Sequence, residues 1–300
     1  MIILCADDFG LSDGVSRGIV ELCRARRLSA TSALVTPHGW SMQAAHLRDI
    51  RSTTAIGLHF NLTLGRPQLT MQNASHLSRS GAFLPLGQLV LRALTRRLSV
   101  DHIRRECSTQ IAAFEAATGS LPDFVDGHQH VHALPVIRHG VIAAIAEQRW
   151  NQQPLLRSPA DRDARYAINS TAALKKRAVD WLTGGFAAEL RKAGLPSNET
   201  FAGFLAFTVG SDYHHELEAA LAQGERTTQD THPRQARSCH LVMCHPGHVD
   251  EALTSSGDPL IARRQEEFDA LMAAEHLPQR IWHPERGDDG AIDWFRAMAR

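Results

Sequence analysis

This sequence has little that would bring it to a nucleic acid or to a charged membrane surface. Its 32 lysines and arginines balance its 32 aspartates and glutamates, and no basic stripe or cluster stands out. No apolar run reaches the roughly 18 residues that a membrane-spanning helix needs. Nucleic-acid and membrane-surface binding are therefore disfavoured, because both usually depend on concentrated positive charge.

Paired cysteines and clustered aromatic residues are also missing. The five cysteines are scattered, odd in number and without the close spacing of a zinc site. We interpret them as small buried hydrophobic residues in a reduced compartment. The chain does not open with the charged and then apolar pattern of a signal peptide. We therefore expect a cytoplasmic protein. Two tyrosines and five scattered tryptophans form no stacking platform, so a short ligand is expected rather than a long polymer.

Short apolar runs alternate with helical patterns along the first 60 residues. "IILCA", "TSALV" and "AIGLHF" are typical of buried strands. Ser12 is a candidate cap for the helix that follows the first of these strands. This alternation predicts a parallel sheet with crossover helices. We predict one α/β domain over residues 1–300 with a core over about 1–275, folded as a TIM-barrel-like (β/α) barrel or an incomplete one.

Several segments give weaker signals. Residues 64–98 and 160–235 look variable, the first being a long loop with one short helix. Within the second, residues 223–238 are predicted as a polar loop. A last strand is predicted at 279–284, and the C-terminal tail has no assignment. The sequence leaves the oligomeric state open.

Chemically active side chains follow several of the predicted strands. The carboxyl ends of parallel strands meet at one edge of a sheet or barrel, so these side chains are expected to lie together. Histidine is common among them and in the whole chain, which has 17. The side chains in question are Asp7, Asp8, His59, Asp126, His128, Arg157 and His245.

Each of these residues also has a purely structural interpretation. Asp7 or Asp8 alone could cap a helix or form a turn, and His59 could be a hydrogen-bonded core histidine. Arg157 could be an ion-pair partner, and His245 could begin a turn before the following proline. All these alternatives must hold independently, whereas a single site explains them together.

The residue types indicate which chemistry such a site could perform. One carboxylate with two imidazoles is a facial ligand set that leaves positions on a metal ion open. A second carboxylate can then take a proton from water, and a further histidine can protonate a leaving group. The adjacent carboxylates Asp7 and Asp8 repel each other, so we expect a cation to offset their charge.

Four motifs resemble those of the YdjC-like deacetylases, in order and in spacing. They are "ADDFGLS" at 6–12, "GLHFNLT" at 57–63, "DGHQHVH" at 126–132 and "MCHPGH" at 243–248. The resemblance runs from residue 1 to about 275. It implies a TIM-barrel-like fold related to the polysaccharide deacetylases.

The resemblance also implies one divalent metal ion, held by Asp8, His59 and His128. The cofactor usually given for the family is magnesium. Two imidazoles with one carboxylate suit zinc, manganese or cobalt better, because magnesium prefers oxygen ligands in octahedral geometry. The identity of the metal stays open at this point.

For the reaction, the resemblance implies Asp7 as the catalytic base and His245 as the group that assists the leaving amine, with Arg157 orienting or tuning Asp7. The implied activity is removal of the acetyl group from an N-acetylated sugar, a chitooligosaccharide or a glycolipid head group, by metal-bound water. Two alternatives remain: a metal-dependent phosphoester hydrolase, and a catalytically idle sugar-binding protein.

Overall fold

The computed structural model describes residues 1–70, 76–160, 171–203, 212–229 and 238–299. The strands are β1 (Ile2–Phe9), β2 (Ala30–Ala33), β3 (Ala55–Phe60), β4 (Ser78–Arg79), β5 (Ala82–Phe83), β6 (Phe124–Gly127), β7 (Leu155–Leu156), β8 (Thr200–Ala202) and β9 (His240–Cys244). The α-helices are α1 (Asp13–Arg24), α2 (Trp40–Gln43), α3 (Leu47–Ile50), α4 (Leu86–Leu94), α5 (Val100–Thr118), α6 (Ile137–Ala146), α7 (Thr171–Leu182), α8 (Phe186–Lys192), α9 (Tyr213–Gln229), α10 (Glu251–Ser256), α11 (Ile261–Ala273), α12 (Leu277–Arg280) and α13 (Trp294–Ala299). Two 3-10 helices span Ala44–His46 and His128–Ala133.

Seven of the strands form one curled parallel sheet in the order β7-β6-β3-β2-β1-β9-β8. Every neighbouring pair in it is parallel, as crossover helices require. Strands β7 and β8 are its two edges, so over the described residues the sheet is a half-barrel. The predicted α/β fold is confirmed in its incomplete-barrel form, and β4 and β5 make a separate antiparallel hairpin.

The two faces of the sheet pack against different surroundings. Leu4 and Ala6 of β1 belong to the large core shared with the helices, whereas Ile3 and Cys5 belong to a smaller cluster on the inner face. Side chains alternate along a strand, so the inner face of β1 continues from Ile3 and Cys5 to Asp7. The inner face is therefore apolar at the amino ends of the strands and polar at their carboxyl ends.

Three local signals in the sequence correspond to element boundaries. The Ser12 hydroxyl accepts the Val15 N–H and caps α1. Gly119 ends α5 with a left-handed φ of 81°, and Gly185 interrupts the chain between α7 and α8 with a φ of 85°. The predicted cap at Ser12 is confirmed.

Two predicted segments are wrong. The predicted loop at 223–238 is helical over residues 223–229, because α9 extends to residue 229. Residues 230–237 lie outside the described part. Gly224 does not break this helix. It allows the helix to pack closely on the sheet, since a side chain there would meet His240 and Ile2 at under 3 Å. The predicted last strand at 279–284 is replaced by α12 and an extended segment that makes one hydrogen bond to β1, from Trp282 N–H to the Ile2 carbonyl.

The structure contains neither a disulfide bond nor a candidate membrane span within its described residues. All five cysteines are unpaired and buried, in agreement with their interpretation as small hydrophobic residues. Within the described ranges, no helix is both long enough and apolar enough to cross a membrane.

The C-terminal tail covers the amino ends of the strands. Trp294 is buried in the inner-face cluster, and its indole N–H donates to the Asp123 carbonyl at 2.7 Å. Arg286 donates to both carboxylate oxygens of Asp123 at 2.8 Å and to the Thr54 carbonyl at 3.0 Å. Asp123 and Thr54 immediately precede β6 and β3, so the tail is fastened at the end opposite the polar edge.

We expect Trp294→Ala to lower the free energy of unfolding by about 3–5 kcal/mol, the usual cost of deleting a buried tryptophan. Phe295 is the matched control, because it is the next residue of the same helix and is 55% exposed, against 2% for Trp294. Phe295→Ala should change stability by no more than about 0.5 kcal/mol. Denaturant unfolding of both variants measures this, and equal effects would show that the tail adds no specific packing.

Candidate functional site

Two adjacent aspartates reach the same space because β1 is irregular at its carboxyl end. The register between β1 and β2 slips by one residue between Ala6 and Phe9, and Asp8 has a left-handed φ of 67°. In a regular strand, consecutive side chains point to opposite faces. Here the bulge brings both carboxylates to His59, whose Nε2 lies 3.3 Å from Asp8 Oδ1 and 4.0 Å from Asp7 Oδ2.

Asp8, His59 and His128 offer ligand atoms that lie within 4.8 Å of one another. Asp8 Oδ1 is 3.3 Å from His59 Nε2 and 3.0 Å from His128 Nδ1. One carboxylate oxygen and two imidazole nitrogens around one point suit a divalent transition metal. These are the three residues predicted as metal ligands, and they come from the ends of β1, β3 and β6.

His59 is held from behind by two side chains. Its Nδ1 lies 2.7 Å from Asp126 Oδ1 and 3.0 Å from Ser32 Oγ, which leaves Nε2 facing Asp8. A carboxylate on the far nitrogen is the usual support of a metal-binding imidazole. Burial lowers the pKa of His59, but Asp126 and Asp7 more than offset it and raise the pKa to about 10. A cation would take the place of the Nε2 proton.

Asp7 is paired with a fully buried arginine. Arg157 Nη1 and Nη2 donate to Asp7 Oδ1 and Oδ2 at 2.7 and 2.8 Å, and Nη2 also lies 2.9 Å from Asp126 Oδ2. Burial raises the pKa of Asp7, but Arg157 and then His59 outweigh it and hold the pKa well below its usual range. Asp7 is therefore ionised at neutral pH.

Asp8 has an arginine of its own, which the sequence analysis missed. Arg264 of α11 is buried, and its Nη2 donates to Asp8 Oδ2 at 2.8 Å. Burial raises the pKa of Asp8, while Arg264 and His128 hold it well below the ordinary value. Two buried guanidinium groups thus offset the adjacent carboxylates, a role that the sequence analysis gave to a cation alone.

His245 follows β9 and lies beside both aspartates. Its main-chain N–H donates to Glu267 Oε2 at 2.5 Å, so the turn after β9 is tied to α11. Loss of contact with water lowers the pKa of the His245 imidazole, and the negative charges of Asp8 and Asp7 oppose this shift. The structure therefore brings all seven candidate residues of the sequence analysis into one network, and adds Ser32, Arg264 and Glu267 to it.

The other two histidines after β6 have different surroundings from His128. His132 is buried, and its Nε2 donates to the Arg157 carbonyl at 2.7 Å, which supports the backbone at Arg157. His130 packs edge-on against Phe201, with ring centroids 5.6 Å apart. Both Gln129 and His130 have a left-handed φ, so the chain turns sharply after His128.

Glu267 should make stability depend on pH. Burial raises its pKa from 4.5 to about 7, opposed by the His245 N–H and by Arg263. Its folded-state pKa exceeds the unfolded value, so its contribution to stability is full below about pH 4.5 and is lost as pH rises through about 7. We expect the stability of Glu267→Gln relative to the parent to rise by up to about 3 kcal/mol between pH 5 and pH 8.5.

Denaturant unfolding of both proteins at the two pH values measures this difference, because all other titrating groups are shared. Glu266→Gln is the control, since Glu266 lies next to Glu267 on α11 with a 42% exposed side chain. Its difference from the parent should hardly change with pH. A pH-independent difference for Glu267→Gln would mean that the buried carboxyl is not titrating in this range.

Sequence comparison identifies the family. The sequence profile described as "YdjC-like protein" matches residues 1–277. The chain belongs to this family. The family predicted from the four motifs is therefore confirmed, and the matched region contains all residues of the network described above.

Two similar proteins of known name are both called chitooligosaccharide deacetylases. A chitooligosaccharide deacetylase of Klebsiella pneumoniae is 30% identical over 275 residues, 91% of each chain. One of Yersinia enterocolitica is 31% identical over 258 residues, 86% of this chain and 85% of the relative. The names of these relatives agree with the predicted enzyme class, a hydrolase of carbohydrate amide bonds.

A solved structure supports the fold. It is a protein of Enterococcus faecalis described as a candidate cellobiose-phosphate cleavage protein. It is 20% identical in sequence and superposes with a TM-score of 0.70, covering 100% of the YdjC-like chain and 98% of its own. At this identity the likeness concerns the fold alone.

Proposed function

We propose that this chain is a metal-dependent hydrolase that removes the acetyl group from an N-acetylated amino sugar, with short chitooligosaccharides as the substrate class. The observation that carries the proposal is the convergence of Asp8, His59 and His128 on one point, beside Asp7 with its own arginine. The names of the YdjC-like relatives support the choice of reaction and substrate. A divalent ion bound there would polarise the amide carbonyl and make water a better nucleophile.

Each protein group then has a distinct task. Asp7 is kept ionised by Arg157 and can accept a proton from the attacking water. The two hydrogen bonds from Arg157 also fix the orientation of the Asp7 carboxylate. His245 follows β9, which pairs with β1 on the side away from β2. It is the group that would return a proton to the departing amine. The products are acetate and a free amino sugar.

The phosphoester-hydrolase alternative is weakened by Arg157. Such enzymes often use two metal ions bridged by carboxylates. Besides the first ligand set, the described residues offer one other candidate group, Cys5, Asp7 and Asp126. The guanidinium of Arg157 already lies against both of its carboxylates, at 2.7 to 2.9 Å. One open metal position remains within this part of the chain, as an amide hydrolase of this kind needs.

Acetate release tests the proposal. The purified protein, stripped with a chelator and then supplied with Zn²⁺, Mn²⁺, Co²⁺ or Mg²⁺, should release acetate from di- and tri-N-acetylchitooligosaccharides only when a metal is added. The same panel should include sugar phosphates. Phosphate release without acetate release would favour the alternative hydrolase, and binding of the sugars without either product would favour the idle sugar-binding protein.

A further inference from the structure

Arg264 lies where a helix meets the candidate metal site. Its side chain is 1% exposed, although it belongs to α11 and is more than 250 residues from Asp8 in sequence. Nη2 donates to Asp8 Oδ2 at 2.8 Å, and Nε donates to Asp258 Oδ2 at 2.7 Å. Nη1 also donates to the His245 carbonyl at 3.4 Å. Asp258 precedes α11, so three partners hold the guanidinium against Asp8.

The two oxygens of Asp8 are thereby given different partners. Oδ2 is taken by Arg264, while Oδ1 lies near His59 Nε2 and His128 Nδ1. A carboxylate held by one oxygen presents only the other, in one direction, to an ion. Without that restraint the carboxylate could rotate about its χ2 angle and bind through either oxygen or both.

The same segment of α11 also fixes the turn that carries His245. The Gly247 N–H donates to the Arg264 carbonyl at 3.1 Å, and the His245 N–H donates to Glu267 at 2.5 Å. Arg264 and Glu267 are three residues apart and share one face of the helix. The helix thus links the end of β1 to the turn after β9, the two places where Asp8 and His245 stand.

We propose that Arg264 is a positioning residue, which holds Asp8 so that only Oδ1 faces the cation. This inference rests on the proposed function, because it requires the metal site at Asp8, His59 and His128. A structural ion pair alone is a weak explanation, since burying two charges often stabilises a protein no better than apolar packing would. The positioning role gives this buried pair a function in metal binding.

The two possible roles of Arg264 predict opposite changes in metal affinity. If Arg264 acted only through its charge, removing it would tighten cation binding, because like charges repel at short range. If it positions Asp8, removing it should weaken binding about 10- to 100-fold, the usual effect of losing a group that orients a metal ligand. The direction of the change therefore separates the two.

Arg263→Gln is the matched control for Arg264→Gln. Both arginines are buried neighbours on α11 and both variants lose one positive charge. Arg263, however, pairs with Glu216, Glu266 and Glu267 and stacks on Tyr213, and it has no contact with Asp8 among the described ion pairs. The measurement is the dissociation constant for Zn²⁺ alone, by calorimetric titration of the chelator-treated protein. We expect weaker binding in Arg264→Gln, and a constant within about threefold of the parent in Arg263→Gln.

Unchanged or tighter binding in Arg264→Gln, or equal weakening in both variants, would overturn the proposal. If Arg264→Gln does not fold, Asp258→Asn decides, because it keeps Arg264 and removes the charge of the carboxylate that holds its Nε. It should weaken Zn²⁺ binding several-fold, and parent-like binding would again overturn the proposal. A parent protein that binds no Zn²⁺ would instead refute the proposed function, so the two failures can be told apart.

Discussion

Asp7→Asn is expected to keep the metal ion and to lose most of its turnover, about 10²–10⁴ in kcat, the usual cost of removing a general base. Asparagine has nearly the same shape as aspartate but cannot accept the proton. Arg157 would still be paired with Asp126, 2.9 Å away, so the substitution does not leave a buried charge alone. Acetate-release kinetics and metal content of the same preparation measure both quantities.

Asp8→Asn is the matched control for this prediction. It changes the neighbouring residue in the same way, but it removes the only carboxylate of the proposed ligand set, so it should lose the metal. If Asp7→Asn loses the metal while Asp8→Asn retains it, the two roles are reversed. If Asp7→Asn keeps both metal and parent activity, the base must be sought elsewhere.

His59→Ala and His128→Ala should each lose the metal after dialysis, with affinity reduced by more than the 10- to 100-fold typical of supporting residues. Each substitution removes one of the three proposed protein ligands. His130→Ala is the control, because His130 is two residues from His128 and packs against Phe201 instead. It should keep a full equivalent of metal. Elemental analysis of the dialysed proteins gives the result.

The ligand set would be wrong if both His59→Ala and His128→Ala kept stoichiometric metal. His130 would then be the first replacement, since it lies in the same turn after β6. His132 is a weaker candidate than the sequence suggested, because its Nε2 already donates to the Arg157 carbonyl. Loss of metal in His130→Ala alone would point to the same revision.

The fold was predictable where one local rule decides the structure. The apolar runs of β1 and β3 are buried on both faces, and Ser12 begins α1 through a hydrogen bond to the Val15 N–H. The polar residues at 223–229 were predicted as a loop but continue α9, in which Gly224 allows close packing against Ile2 and His240. Packing between distant segments decides such positions.

The candidate site was predictable to the extent that strand ends carry it. These residues lie in the last part of a strand of the parallel sheet or directly after one, and topology alone places such residues at one edge. They are Asp7, Asp8, His59, His128, Arg157 and His245. That rule says nothing about partners that come from helices. Arg264 and Glu267 were missed for that reason.

A signal for these two residues was nevertheless present in the sequence. Arg264, Phe268 and Leu271 recur at the spacing of one helix face, and Glu267 adjoins them. Charged residues on a face that is otherwise apolar must find buried partners. The pattern indicates that partners exist, but only the folded chain shows that they are Asp8 and the turn at His245.

Because the tail is fastened at Asp123, the end of the family match and the end of the packed structure lie at different residues. Family resemblance ends at residue 277, yet Trp294 fills part of the inner face of the sheet, and Arg286 carries the charge opposite Asp123. A fragment cut where the homology stops would keep every residue of the candidate site and would expose the amino ends of β3 and β6 to water. The segment that the family profile matches is thus shorter than the packed unit, which continues into the tail.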